Sequence, residues 1–313
     1  MSENCRMFWL HTQSPLHVGT GRGSGFIDLP VAREKTTGWP FVPGSSVKGV
    51  LRDHFTTQDQ SFVPQAFGTD VGAKDPSAGA LAVTDAHLVL FPVRSFHGTF
   101  AYTTCPLALQ RLARDLDTAT VARPQSPPAD VQCQRDQPVP AAVTRGCKLV
   151  AERSGDPGHL EAVLGEYDVK ARRDPVAHEW AALLASQLFQ DGDPFREVLR
   201  ERFIVIPDDL FTAVTEEGTE VQARVRIDDD THTVATHALW YEETVPPEAV
   251  FAGLLWCDRL YAGAGPLAQG EPHRAGTPRQ LLESVCGSPL RLQIGGDAGI
   301  GRGLVELRFG GEG

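Results

Sequence analysis

No CxxC pair occurs in the 313 residues; Cys5, Cys105, Cys133, Cys147, Cys257 and Cys286 stand far apart. That spacing speaks against a zinc site and against a disulfide framework, and the cysteines read as buried thiols. Long apolar runs are missing too: none approaches the ~18–20 residues that span a bilayer. The opening MSENCRMFWL lacks the basic-then-apolar layout of a secretory signal. The expectation is a cytoplasmic protein with no membrane partner. Positive charge is scarce: the formal net charge is −11, which disfavours non-specific adhesion to nucleic acid but says little about a local groove. Any phosphate site has to be assembled from clustered cations and backbone amides.

What is present fills a core. Hydrophobic residues make up 41% and charged residues 22% of the chain, and the length suits one central domain with sizeable insertions, or two domains. The densest set of constraints is the stretch 16–55, LHVGTGRGSGFIDLPVAREKTTGWPFVPGSSVKGVLRDHF. Its four glycines at 19–25 make a loop able to approach a ligand closely. It is not a Walker motif, because the GK[ST] ending is absent, nor a dinucleotide fingerprint, because no helix follows directly. Asp28 then sits in a short apolar run closed by Pro30. From spacing alone it reads sooner as a solvated loop carboxylate than as a functional group. Pro43-Gly44-Ser45-Ser46, followed by Val47, Val50, Leu51 and Phe55, reads as a capped helix with one apolar face. Its first turn offers Ser45, Ser46 and Lys48, with Arg52 one turn on. Free amides, hydroxyls and a lysine favour an anion there over a plain serine cap.

Residues 6–12 read as a first strand, and 79–93 as a core strand pair or a bent strand. A helix is expected from Pro106 to Leu116, then a proline-rich surface excursion over 118–142. Asp174-Pro175 and Asp193-Pro194 each open a helix, forming a small insertion packed on the core. From Glu220 two alternating arms flank Asp228-Asp229-Asp230 and read as a long, partly projecting β-hairpin. The remainder reads as a strand over 249–257, a helix over 278–285, a strand over 290–294, a second glycine loop GGDAGIGRG at 295–303, and a closing strand. That loop contains Gly299, Gly301 and Arg302, and its backbone can wrap a phosphate chain.

The segments IDLPVAREKTTGWPFVPGSSVKGVLR, GGDAGIGRG and RIDDDTHTVATHALWYEETVPPE together closely resemble one family, the RAMP-superfamily backbone protein that is subunit 4 of the Cmr complex, the type III-B CRISPR effector. The resemblance implies an α+β fold: a ferredoxin-like (RRM-like) palm with a helical insertion and a projecting hairpin thumb. The palm takes residues 1–55, with the catalytic loop and guide-binding helix, the palm strands and insertions of 56–210, and the C-terminal part 248–313; the thumb takes 211–247. The partners implied are guide CRISPR RNA, complementary target RNA, copies of the chain in a head-to-tail filament, and other Cmr subunits. Ser45, Ser46, Lys48, Arg52, Gly299, Gly301 and Arg302 match positions that hold the guide backbone, a contact that binds phosphate without reading bases. Asp28 matches the acidic residue associated with cleaving target RNA through attack of a 2′-OH on the adjacent phosphate. It would position a hydrated Mg²⁺ or Mn²⁺ or orient the nucleophile. His17 matches a motif position and serves guide binding, proton transfer or structure. Tyr241, Glu242 and Glu243, at the hairpin's end, are candidates to approach the scissile phosphate.

Two other readings stand beside an RNA-guided endoribonuclease subunit. One is a non-catalytic guide-binding scaffold of the same fold. The other, a stand-alone guide-processing ribonuclease, fits less well, since such an enzyme would use a histidine-centred acid–base site and His17 has no evident partner in the sequence.

Overall fold

β1 (Cys5–Thr12) carries a continuous buried run rather than the alternation of a strand with one wet face. Phe8 and Leu10 enter one apolar core, while Met7 and Trp9 enter a second. The sheet is therefore covered on both sides. The computed structural model describes residues 4–21, 23, 25–58, 60–69, 76–152, 160–227, 234–261 and 275–310, with backbone alone for 234–237. The acidic turn at Asp228-Asp229-Asp230 lies outside the described residues, as do Arg22 and Ser24 of the first glycine loop.

After β1 come β2 (Phe41–Val42), α1 (Gly44–Thr57), α2 (Val63–Phe67), β3 (Ala82–Val83), β4 (Ala86–Arg94), β5 (Phe100–Thr104) and α3 (Pro106–Thr118). The middle holds β6 (Val139–Val143), β7 (Ala151–Glu152), β8 (Leu160–Leu164), β9 (Tyr167–Arg173), α4 (Pro175–Leu188), α5 (Phe195–Arg202), β10 (Phe203–Val205) and α6 (Asp208–Glu217). The chain closes with β11 (Glu220–Ile227), β12 (Val234–Thr244), β13 (Val250–Trp256), α7 (Pro278–Cys286), β14 (Leu290–Gln293) and β15 (Leu304–Gly310).

The main sheet runs β14-β15-β1-β13-β4-β5-β10-β6-β9-β8-β7, and β11 with β12 forms a separate two-stranded sheet. Within it β15, β1, β13 and β4 are each antiparallel to their neighbours. In sequence, α1 lies between β1 and β4, and α7 between β13 and β15. The apolar stripes of these two helices, Val47, Leu51 and Phe55 in α1 and Leu281, Leu282 and Val285 in α7, close the first core. Leu109, Leu112, Trp180, Leu184 and Leu199 of α3, α4 and α5 close the second. Each such buried side chain contributes about 1.5–3 kcal/mol. No described helix is long and apolar enough to cross a membrane.

Three expectations need correction. Residues 139–143 belong not to a surface excursion but to β6, which lies between β10 and β9, with Pro140 opposite Lys170. Burial of Ala141, Ala142 and Val143 outweighs the missing amide of Pro140. Cys133 is exposed and Cys286 half-buried, whereas the other cysteines are buried as expected. The start of α1 has no serine cap: Asp85 Oδ1 accepts from the Gly44 amide at 2.8 Å. Gly44 is required there, because a Cβ would fall 2.5 Å from the Thr84 carbonyl oxygen.

Candidate functional site at the base of the hairpin

The two glycine loops, far apart in sequence, meet around His17. Its carbonyl oxygen accepts from the Gly296 amide at 2.9 Å, and a Cβ on Gly295 would sit 2.1 Å from that same oxygen. A Cβ on Gly19 would sit 2.8 Å from His17 Nε2. The glycines are what let both loops close on this residue. The imidazole is buried, and Nδ1 lies 2.7 Å from the Glu243 carbonyl oxygen. A carbonyl only accepts, so Nδ1 donates and a neutral ring has its free lone pair on Nε2.

The segment carrying Asp28 is laid along the base of β12. Leu16 and Val245 exchange backbone hydrogen bonds of 2.8 and 2.9 Å, the Leu29 amide donates to the Tyr241 carbonyl at 3.0 Å, and the Glu243 amide donates to the Leu29 carbonyl at 3.0 Å. Asp28 is exposed, and its Oδ2 accepts from the Tyr241 amide at 2.8 Å. The carboxylate thus travels with the hairpin. Phe26, 78% exposed, packs its ring on that of Tyr241 with centroids 4.9 Å apart and 30° between planes. Beyond this base the β11 arm is exposed on both faces.

Glu242 and Glu243 do not face solvent. Glu243 Oε1 pairs with Arg33 at 2.6 Å and accepts from Thr219 at 2.7 Å, while Oε2 accepts from the Val31 amide at 2.9 Å. Burial pushes its carboxyl up, but the hydrogen bonds from Arg33, Thr219 and Val31 outweigh that and hold it below the usual carboxylate range. Glu242 is 2% exposed, with Arg224 Nε at 3.4 Å and Arg302 Nε at 4.0 Å. Arg302 itself is buried and donates to Gln222 Oε1 at 2.7 Å. It ties the second glycine loop to β11 instead of opening toward solvent as a phosphate contact requires.

At α1 Ser45, Ser46 and Lys48 lie on the first turn and Arg52 on the next. Ser45 is exposed and Ser46 half-buried. Lys48 Nζ donates to the Leu81 carbonyl at 2.7 Å, and burial, followed by the neighbouring charge of Arg52, lowers its pKa. Gly299 and Gly301 are exposed on the second loop, where a Cβ would meet nothing within 4 Å. Among the described residues no group of three or more His, Cys, Asp or Glu stands ready to hold a metal ion.

The model of the RAMP superfamily matches residues 9–306. A curated relative, the CRISPR system Cmr endoribonuclease Cmr4 of Pyrococcus furiosus, is 32% identical over 310 residues, covering 95% of this chain and 93% of the relative. The chain belongs to the RAMP superfamily, in its Cmr4 family. Among solved structures, the Cmr4 family is represented by the crystal structure of oligomeric Cmr4 from Pyrococcus furiosus, with a TM-score of 0.64, 26% identity, and coverage of 98% of this chain and 97% of that one. A chain in the cryo-EM structure of the type III-B Cmr-beta complex bound to cognate target RNA has a TM-score of 0.68 at 20% identity, covering 97% and 96%, which speaks to the fold.

Sequence reading singled out Asp28, His17 and Tyr241, which the Cmr4-family fold brings to the hairpin base. It gave no role to Arg33, Thr219 or Arg224. Arg33 stands inside the motif IDLPVAR, yet nothing in local spacing says that its partner lies 210 residues on.

Proposed function

We propose that this protein is a backbone subunit of a type III-B CRISPR ribonucleoprotein that holds guide CRISPR RNA and cuts complementary target RNA at regular intervals. One observation carries the reading: Asp28 is exposed and fixed by the Tyr241 amide to the base of a projecting hairpin. A carboxylate locked to the element that interrupts the guide–target duplex meets the one nucleotide taken out of helical geometry. The palm is read as ferredoxin-like, supported by the antiparallel order β15-β1-β13-β4 with α1 and α7 in the crossovers. The relatives named as an endoribonuclease, as an oligomer and as a complex on target RNA support RNA, further copies of the chain and other Cmr subunits as partners.

The guide backbone is assigned to Ser45, Ser46, Lys48, Arg52 and the glycine loop with Gly299 and Gly301. At the cut, the 2′-oxygen forms a bond to the adjacent phosphorus as the P–O5′ bond breaks. The 2′-hydroxyl loses its proton and O5′ gains one, leaving a 2′,3′-cyclic phosphate and a 5′-hydroxyl. In-line attack needs an unstacked nucleotide, and the hairpin supplies that. Asp28 Oδ1 has no partner among the described residues. One such oxygen fits a hydrated Mg²⁺ or Mn²⁺ that draws its other ligands from water and RNA phosphate, and the ion when bound offsets charge on the phosphate. Asp28 holds that ion or orients the nucleophile.

The scaffold reading has its own support, since Asp28 already has a structural task at the Tyr241 amide. Asp28→Asn separates the two, because an amide oxygen still accepts from Tyr241 while the charge is gone. In the assembled complex, target cleavage should fall at least about a hundredfold with guide and target binding and filament length retained. Cleavage at the unsubstituted rate with Mg²⁺ or Mn²⁺ present would remove Asp28 from the cutting chemistry and favour the scaffold.

A further inference from the structure

Phe26 is a large apolar ring left in water beside the proposed cutting site. A phenylalanine that could have been buried forgoes a sizeable stabilisation when exposed, so 78% exposure calls for a reason. Exposure alone is not one, for Phe96 on the turn after β4 is 80% exposed. Phe26 differs in its setting. Its ring packs on Tyr241 at 4.9 Å with 30° between planes, and Tyr241 supplies the amide that fixes Asp28, two residues after Phe26. Tyr241 itself is held from below: its carbonyl accepts from Leu29, and its strand partner is Ala223. Phe26 is thus the top ring of an aromatic pair whose lower member is anchored in the sheet, on the same short segment as the carboxylate.

We propose that the Phe26–Tyr241 pair is a stacking platform for a nucleobase of the target strand, at a nucleotide flanking the cut. This rests on the reading of Asp28 as the cutting residue. The physical case is that an unstacked base has lost its neighbours' π-faces, and an exposed aromatic ring restores one with no demand on base identity. The platform fixes the ribose of the displaced nucleotide, and in-line attack depends on that placement. The site takes any base, with purines favoured by their larger area.

The effect belongs in the cleavage step, because pairing with the guide over many nucleotides dominates target affinity. In the assembled complex, Phe26→Ala should slow single-turnover target cleavage about tenfold, the size of one lost base–aromatic stack, with target affinity unchanged. Phe26→Trp restores the rate, Phe26→Leu does not, and Phe96→Ala leaves it untouched. A direct readout uses 2-aminopurine placed in turn on either side of the cut, bound to complexes carrying Asp28→Asn. Fluorescence should be quenched at one position and rise when Phe26→Ala is added. Unchanged fluorescence at both positions, or rescue of the rate by leucine as well as by tryptophan, overturns the platform. So does a shortened filament as the main effect of Phe26→Ala, which would assign the ring to a neighbouring copy. If Asp28→Asn itself cleaves normally, the cutting assignment fails, and the fluorescence arm, run on target with a 2′-deoxy nucleotide at the cut, still judges the platform.

Discussion

Arg33 and Glu243, 210 residues apart, form a 2.6 Å ion pair in which the carboxylate side chain is 4% exposed and the guanidinium 24%. The same guanidinium reaches the carbonyls of Gly38 and Thr215 and the hydroxyl of Thr219. One side chain thereby joins the Asp28 segment, α6, the turn into β11 and β12, and sets where the hairpin leaves the body.

Arg33→Met leaves Glu243 buried with its counter-charge removed, and the expected loss is about 3 kcal/mol. Thermal unfolding checks it. Adding Glu243→Gln should recover part of the loss, because the stranded charge and not the absent arginine carries most of the penalty.

A second, partly buried carboxylate predicts the acid response. Glu34 accepts from Arg111 at 2.7 and 2.8 Å and lies 2.6 Å from His87 Nδ1. Burial raises its pKa, but the hydrogen bonds from His87, Arg111 and Thr37 prevail and hold it well below the usual carboxylate range. A carboxyl depressed in the folded state stabilises it fully above its unfolded pKa of about 4.3, and that contribution is lost as pH falls toward the folded value. Glu34→Gln should therefore cost about 2–3 kcal/mol near neutrality, with the gap to the unsubstituted protein shrinking below about pH 4. Denaturant titrations across that range measure it; a gap that widens on acidification contradicts the assignment.

Lys48 tests the guide-binding half of the proposal. Lys48→Met should weaken guide RNA binding and reduce the slope of log affinity against log salt by about 0.7, the value of one single-strand phosphate contact. A weaker complex with an unchanged slope would mean that Lys48 only braces the Leu81 carbonyl.

The second glycine loop separates folding from binding. Gly295 has φ +87° and no room for a Cβ beside the His17 carbonyl, whereas nothing lies within 4 Å of a Cβ on Gly299. Gly295→Ala should lower stability by about 2 kcal/mol or more. Gly299→Ala should leave the melting temperature nearly unchanged and weaken guide binding through loss of close backbone approach. Equal guide affinity in Gly299→Ala removes that residue from the interface.

Local signals served the regular elements well. Asp174 caps α4 through the Val176 and Ala177 amides at 2.8 and 3.3 Å, as its Asp-Pro spacing foretold. The Asp193-Pro194 start is shifted by one residue, with Pro194 at the cap and Phe195 first in the helix. The strands β8, β9 and β10 and the helix α6 gave no clear local signal. β10 is three buried residues, too short to show a period, and pairs with β5 and β6 from earlier in the chain; β8 and β9 pair with each other but are short, with one polar face.

Glycine spacing, proline positions and apolar periodicity determined by themselves the two close-approach loops, the main helices and the hairpin, because these depend on backbone freedom and side-chain period within a few residues. Only the tertiary structure decided what the charges do. Arg302 and Glu242 could have faced RNA, but they lie buried at the hairpin base. Asp28 could have been an ordinary loop carboxylate, but it is fixed to Tyr241. A charge takes its role from the partner that approaches it, and here the fold brings that partner from some two hundred residues away.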